Sequence, residues 1–290
     1  MTRSDFAFFH RLQGRWAEVV AQAVVVNANY LTYLDTTVSG YWRRLALPWG
    51  SFPTAPLGEL SVRRVTLEFH APARLNDWLD VGLRCVRTER SSITLQGAVF
   101  CADRMLVTGT LDHVLVAAGD ERAQALPEVL PSLLRAFDAG ESVLQTRVGS
   151  WPELGQHARM VREAVFVREQ GIAQEDEWDA ADADALHVVA FNGLGQAVAT
   201  GRLLPQDDAG DAVAHVGRVA VRRPLRGAGH GQAVMAALEQ VAAARGVRAL
   251  QLNAQQSAAA FYRRLGYVAE GSPFDEVGIA HISMRKSIGG

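Results

Sequence analysis

The feature that most constrains this chain is a change of hydrophobic rhythm part-way along it. From Leu60 to Ala118 apolar residues recur at every second position: Val65, Leu67 and Phe69, then Leu79, Val81, Leu83 and Cys85, then Ile93, Leu95 and Val99, then Leu111, Val114 and Val116. Period two marks strands with one buried face, and the breaks at Pro72, Asn76-Asp77, Arg90-Ser91 and Ala102-Asp103 are turn chemistry. Before this run, Leu31, Leu34, Val38, Tyr41, Trp42 and Leu45 recur at three- and four-residue intervals, the signature of a helix face that Pro48 ends. One helix followed by consecutive strands predicts an antiparallel sheet wrapped on a helix, with a short closing helix over Leu126 to Phe137.

Ala139-Gly140-Glu141 reads as a linker, dividing the chain into domains at 1–140 and 141–290. Beyond it the elements alternate. A helix is expected from Trp151 to Glu169, then strands at Leu186–Phe191, Ala197–Leu204 and Ala214–Val221. A helix from Gly231 to Arg245, a strand from Arg248 to Asn253, a helix from Ser257 to Leu265 and a strand near Ile279–Met284 complete the series. That order predicts mixed α/β around one sheet, so the fold class of the whole chain is α+β. The polar stretch Gln206 to Asp211 is expected as a surface connection, and the acidic run Gln174 to Asp184 reads either as a solvated loop or as a rim for a cationic substrate.

Composition narrows the partners. The 290 residues carry a formal charge of -2 with 49% hydrophobic content, without the basic excess that attracts nucleic acid or anionic membranes. No apolar run approaches the roughly 20 residues of a membrane span, and no signal-peptide pattern opens the sequence, so a cytoplasmic protein is expected. Cys85 and Cys101 sit in strand-like segments without metal-ligand spacing and read as reduced packing residues; no metal site is expected.

Arg226-Gly227-Ala228-Gly229-His230-Gly231 lies between an apolar strand and a helix. Its glycines let a ligand approach the backbone, and the helix that follows aims its first N–H groups at the same place, which suits a diphosphate. Downstream stands Phe261-Tyr262-Arg263-Arg264-Leu265-Gly266-Tyr267. Together, Arg226-x-x-Gly229-x-Gly231 and this second segment resemble the GNAT superfamily of acetyltransferases. The segments VFVREQ, ATGRLLP, GRVAVR, LNAQ and FDEVGIAHISM are similar to its ElaA-like subgroup.

The resemblance implies acetyl-CoA as cofactor and an amine, of a small molecule or a protein, as acceptor. It implies that backbone around Val219, Ala220 and Val221 pairs with the pantetheine arm and that the amides of Arg226 to Gly231 hold the pyrophosphate. Gln255 stands where many members carry an Asn that touches the cofactor, and Tyr262 matches the residue that protonates the departing thiolate. An alkylamine with pKa near 10 costs roughly 4 kcal/mol to neutralise at pH 7, so a base near the acceptor would help. Glu169, Glu276, His187 and His281 are the candidates, with Gln170 and Asp275 beside them.

Earlier in the chain, RWAEVVAQAVVVNANYLTYLD and the strands after it resemble hotdog-fold acyl-CoA thioesterases of the hydroxybenzoyl-CoA type. Matching on Arg15, Trp16, Glu18, Asn27 and Tyr30 puts Val20 where that family carries its catalytic Asp and Ala23 where it carries a Gly at the helix N-terminus. A valine neither attacks a thioester nor holds a water. The amide of the family's Gly is expected to help polarise the thioester carbonyl, and Ala23, which stands in its place, still has an N–H; Glu18 and Asp35 are weak substitutes for the acid. The resemblance implies a homodimer or higher oligomer, with acyl-CoA a possible ligand of this half. Three readings stay open: an acetyltransferase with a non-hydrolytic hotdog domain, a bifunctional enzyme that also cleaves thioesters, and a CoA-binding scaffold that turns nothing over.

Overall fold

The computed structural model describes residues 1–47, 58–117, 122–204 and 212–288. It comprises two compact units, Met1–Val143 and Leu144–Gly290.

In the first unit, helix α1 (Asn27–Arg44) packs on a five-stranded antiparallel sheet of order β1-β3-β4-β5-β2. The strands are β1 (Phe8–Gln13), β2 (Glu59–Phe69), β3 (Trp78–Thr88), β4 (Ser92–Cys101) and β5 (Arg104–Val116). α1 buries Tyr30, Tyr33, Leu34, Thr37, Val38, Tyr41 and Trp42. Leu31, counted in the apolar face from sequence, is exposed, because the i, i+3, i+4 stripe that meets the sheet starts at Tyr30. The helix lies close to the sheet at Gly97, where a Cβ would fall 2.4 Å from Leu34 Cδ2. In β5 the core takes Leu111, His113 and Leu115, so Val114 and Val116 face the other way. Pro48 lies outside the described residues.

The closing helix α2 begins at Leu130, not Leu126, and runs to Asp138. Asp138 ties it to the core: Tyr41 Oη donates to its Oδ1 at 3.0 Å and the Cys85 amide to its Oδ2 at 2.7 Å. Cys85 and Cys101 are free and half-buried. Burial, reinforced by Asp138, pushes the Cys85 thiol up to about 11, which keeps it a protonated packing group.

The second unit is built on a seven-stranded sheet of order β11-β12-β10-β9-β8-β7-β6. Its strands are β6 (Gln145–Gly149), β7 (Leu186–Phe191), β8 (Ala197–Leu203), β9 (Val213–Val221), β10 (Ala249–Gln255), β11 (Val268–Glu276) and β12 (Ile279–Ser287). Helix α3 (Trp151–Arg162) opens on a capping box between Ser150 and Glu153 and ends in a π turn over Glu163–Val167, short of Glu169. α4 (Gln174–Glu177), α5 (His230–Ala244) and α6 (Ala259–Arg264) follow. Leu154, Ala158, Val161 and Val165 pack on Val189, Phe191, Ala197 and Ala220.

The acidic run is neither a solvated loop nor a simple rim. Glu177 and Asp182 are buried around the buried Arg162, whose Nη1 meets Asp182 at 2.7 Å. Arg202 binds Asp179 through both Nη atoms and Asp182 through Nη1, and Arg218 reaches Glu177 and Asp179. Three guanidiniums thus meet three carboxylates, as buried charge requires. Trp151 and Trp178 lie over the guanidiniums of Arg159 and Arg162. The loop expected at Gln206 to Asp211 lies outside the described residues.

Candidate active site

All neighbouring strands of the second unit run antiparallel except β9 and β10. Their parallel pairing covers only Val213–His215 against Ala249–Gln251. From there β9 continues beside β8 and β10 beside β12, with no further pairs between them. The sheet therefore opens, and a cavity of about 890 Å³ lies between the diverging strands. A bulge opposite Thr200 and Arg202, with Arg218 at φ +53°, sets the course of β9 here. Val219, Ala220 and Val221 all line the cavity.

The glycine turn closes one end. Gly227 and Gly229 have φ of +81° and +91°, in the left-handed region that side chains avoid, and Gly229 caps α5. At Gly231 a Cβ would stand 3.3 Å from both Phe261 Cζ and Val221 Cγ2, so the glycine allows the helix start to approach α6. Arg226, Gly227, Gly229, His230 and Gly231 line the cavity, whereas Ala228 is buried behind them. Helix N-terminal amides lack intrahelical acceptors, so this end of the cavity is suited to an anion.

Arg226 fixes the turn from outside. Its Nε donates to the Val221 carbonyl at 3.0 Å, and its Nη atoms meet both oxygens of Glu169 at 2.7 and 2.8 Å. Glu169, a candidate base in the sequence, spends both oxygens on Arg226 and is not among the cavity's lining residues. Gln170, next to it, does line the cavity and exchanges amide hydrogen bonds with Gln255 at 3.0 and 3.4 Å.

Tyr262, on α6, lines the cavity while its ring packs on Phe261 and Tyr267. Burial pushes its hydroxyl up to about 12, so at neutral pH it keeps the proton that an acid must deliver. His281, on β12 opposite Gln255, shares the cavity. Its Nδ1 lies 2.8 Å from the Ile279 carbonyl. A carbonyl only accepts, so Nδ1 carries the proton and Nε2 holds the lone pair of a potential base. Glu276 also lines the cavity, exposed, with Asn253 Nδ2 at 3.5 Å. Asp275 instead caps the β11–β12 turn, accepting from the Gly278 amide at 2.9 Å.

His187 does not join them. It is buried against Trp151, its Nε2 donates to the Asp182 carbonyl at 2.9 Å, and burial lowers its pKa. In its place the cavity contains Glu177, from the acidic run that the sequence offered as a possible substrate rim, with Arg202, His215, Gly217 and Arg218, which the sequence did not mark as site residues. An arginine within the apolar run of β8 was the available signal, since a mid-strand charge needs a buried partner.

In the first unit Val20 is exposed and Ala23 has φ +57°. The Ala23 amide, expected to face a carbonyl, donates to Val20 O at 2.8 Å within a turn that precedes α1. Glu18 is buried and accepts from the Arg15 amide at 2.9 Å and from Tyr33 Oη at 2.6 Å, besides its ion pair with Arg15. Burial alone would raise its pKa, but these bonds outweigh it and hold the carboxyl below its usual value. Asp35 is exposed on α1.

Both halves of the chain are similar to known proteins. The family model of the GNAT acetyltransferase domain matches residues 159–288, and that of the thioesterase superfamily matches 22–108. The uncharacterized N-acetyltransferase YjcF of Bacillus subtilis is 38% identical over 127 residues, which are 43% of this chain and 87% of YjcF. Escherichia coli ElaA is 27% identical, with a TM-score of 0.45 over 49% of this chain and 99% of its own. A Thermus thermophilus thioesterase, solved with coenzyme A and Zn, is 24% identical, with a TM-score of 0.41 over 47% of this chain and 97% of its own. Preceded by a domain of hotdog fold, the C-terminal half of the chain belongs to the GNAT acetyltransferase family.

Proposed function

We propose that the second unit transfers the acetyl group of acetyl-CoA to an amine. The observation that carries this reading is the opening between β9 and β10, which ends in a glycine turn at a helix N-terminus. Acetyl-CoA, when bound, supplies a thioester whose acyl carbon an amine can attack. The amides of the turn from Gly227 to Gly231 hold the pyrophosphate, the Arg226 amide being bonded to the Arg223 carbonyl at 3.3 Å, and Glu169 acts by fixing Arg226 rather than as a base. The β10-facing backbone edge of Val219 to Val221 takes the pantetheine arm, with Gln255 and Gln170 alongside. His281 Nε2 accepts the proton from the amine, Glu276 attracts the cationic acceptor from solvent, and Tyr262 protonates the leaving thiolate.

For the hotdog unit we propose a non-hydrolytic role, as a dimerisation module or acyl-CoA binder, in a cytoplasmic homo-oligomer. Val20 offers no nucleophile, and the oxygens of Glu18 are already engaged. Among the described residues no helix is long and apolar enough to cross a membrane.

Tyr262→Phe tests the mechanism, since it keeps the packing ring and removes the proton donor. Thiol release with good amine acceptors should fall about 10²–10⁴-fold in kcat, while acetyl-CoA affinity by calorimetry stays within about twofold of wild type. An unchanged kcat would reduce Tyr262 to a packing residue.

A further inference from the structure

The cavity extends past the bulge in β9, away from the glycine turn, to a wall containing Arg202, Gly217 and Arg218. Arg202 is 94% buried by its 6% exposure, and its Nη atoms are consumed by Asp179 and Asp182. Its Nε is buried and has no hydrogen-bond partner among the described residues. A buried donor left unsatisfied is costly, and this one lies beside a gap. Gly217 is the cross-strand partner of Arg202, and a Cβ built on it would meet one atom within 4 Å, Arg202 Nε at 3.7 Å.

We propose that the place above Gly217 receives a carbonyl oxygen of the acetyl acceptor, which is therefore an amine carrying an amide carbonyl on the adjacent carbon, such as an amino-acid amide or a peptide N-terminus. The proposal rests on the acetyl-transfer reading, which places the thioester near Val219. Two residues of strand separate Val219 from Gly217, at most about 6.6 Å. An attacking amine stands about 3–3.5 Å from the acyl carbon. In an α-amino amide the carbonyl oxygen lies about 3 Å beyond the nitrogen, given the standard bond lengths. The two reaches together match the interval.

The charge of the wall selects the kind of oxygen. Arg162, Arg202 and Arg218 are matched by Glu177, Asp179 and Asp182. The one unused N–H of Arg202 thus belongs to a guanidinium whose charge is already balanced. A neutral carbonyl gains a hydrogen bond there, whereas a free carboxylate would add an unmatched negative charge beside Asp179 and Asp182. An alkylamine leaves the N–H as it is now, without a partner.

Full-length protein, with and without acetyl-CoA, is titrated with glycinamide, glycine and ethylamine, and acetyl transfer to each is followed by thiol release. Affinities and kcat/KM are expressed per neutral amine. Glycinamide should be preferred to ethylamine by about ten- to hundredfold, the range for a hydrogen bond to a charged donor, with glycine no better than ethylamine because its carboxylate has no matching charge there. Gly217→Ala fills the gap with one methyl at ordinary contact distance from Arg202 Nε, and Arg202→Lys keeps the charge toward Asp179 while deleting the Nε–H. Each should reduce the preference to within about threefold. Because Gly217→Ala sits at an ordinary φ, it keeps the test open if Arg202→Lys does not fold. A wild-type ratio near one, or a ratio that survives Gly217→Ala, overturns the proposal. So does an equal loss of kcat for all amines in Gly217→Ala, which would assign the gap to the acetyl carbonyl. Failure to bind acetyl-CoA would overturn the transfer reading alone, since the amine preference is also read on the free chain.

Discussion

Two turns in this molecule precede helices with left-handed backbone, one ahead of α1 at Val20–Ala23 and one ahead of α5 at Arg226–Gly229. The first closes on itself: Ala23 N–H donates to Val20 O, Val20 N–H to Val24 O, and Leu75 N–H reaches back to Ala23 O. It puts an alanine at φ +57° and an exposed valine at its edge. The second puts glycines at its left-handed positions, keeps a cavity in front of them, and leaves its bracing to the Glu169–Arg226 pair behind. The first turn thus spends its hydrogen-bond donors internally, whereas the second faces a cavity. What separates the two is the residue at the left-handed positions, alanine in the first and glycine in the second, and the cavity that lies in front of the second.

The largest expected effect falls on the second turn. Gly229→Glu puts a side chain at φ +91°, at a cost of about 1–2 kcal/mol, and adds a negative charge where the pyrophosphate is proposed to sit. Acetyl-CoA affinity by calorimetry should fall at least about hundredfold, or ~2.7 kcal/mol. Equal affinities would erase the contrast between the turns.

A smaller effect is expected at the first turn, where Ala23→Gly relieves left-handed strain. The thermal midpoint should rise by the equivalent of about 0.5–1 kcal/mol. A fall would mean that the alanine methyl packs favourably enough to outweigh its backbone.

The smallest concerns hydrolysis. In a Gly229→Glu background, which silences the second unit, no thioesterase activity is expected on short, long or aromatic acyl-CoAs. Adding Val20→Asp with Ala23→Gly should restore at most a trace, because the Ala23-position amide stays bonded to residue 20. Robust hydrolysis without those changes would make the first turn a working site and the protein bifunctional.

Much of this was legible in the sequence, for identifiable reasons. β3, β4, β7 and β8 are interior strands: β7 and β8 are buried almost throughout, and β3 and β4 carry a period-two apolar face, so their patterns stand out. The strands missed, β1, β6 and β11, are sheet edges or thinly buried, and Gln145–Gly149 buries no residue. Edge strands pack one neighbour and need little periodicity. The glycine turn was readable because positive φ nearly dictates residue type. The ring of Arg162, Arg202 and Arg218 was not, because ion pairing across up to 41 positions leaves no local trace, and the acidic partners alone look like solvated surface. His281 was readable as a candidate, but not its tautomer, which depends on the Ile279 carbonyl two residues away.

The stacking of Arg159 and Arg162 on Trp151 and Trp178 has an optical consequence. Indole emission responds to a cation held against the ring face, so two of the chain's six tryptophans report whether the acidic segment is seated on α3. Because Glu177 and Asp182 of that segment grip Arg162, and Arg202 beside them lines the cavity, the same fluorescence doubles as a native gauge of the wall that faces the acceptor.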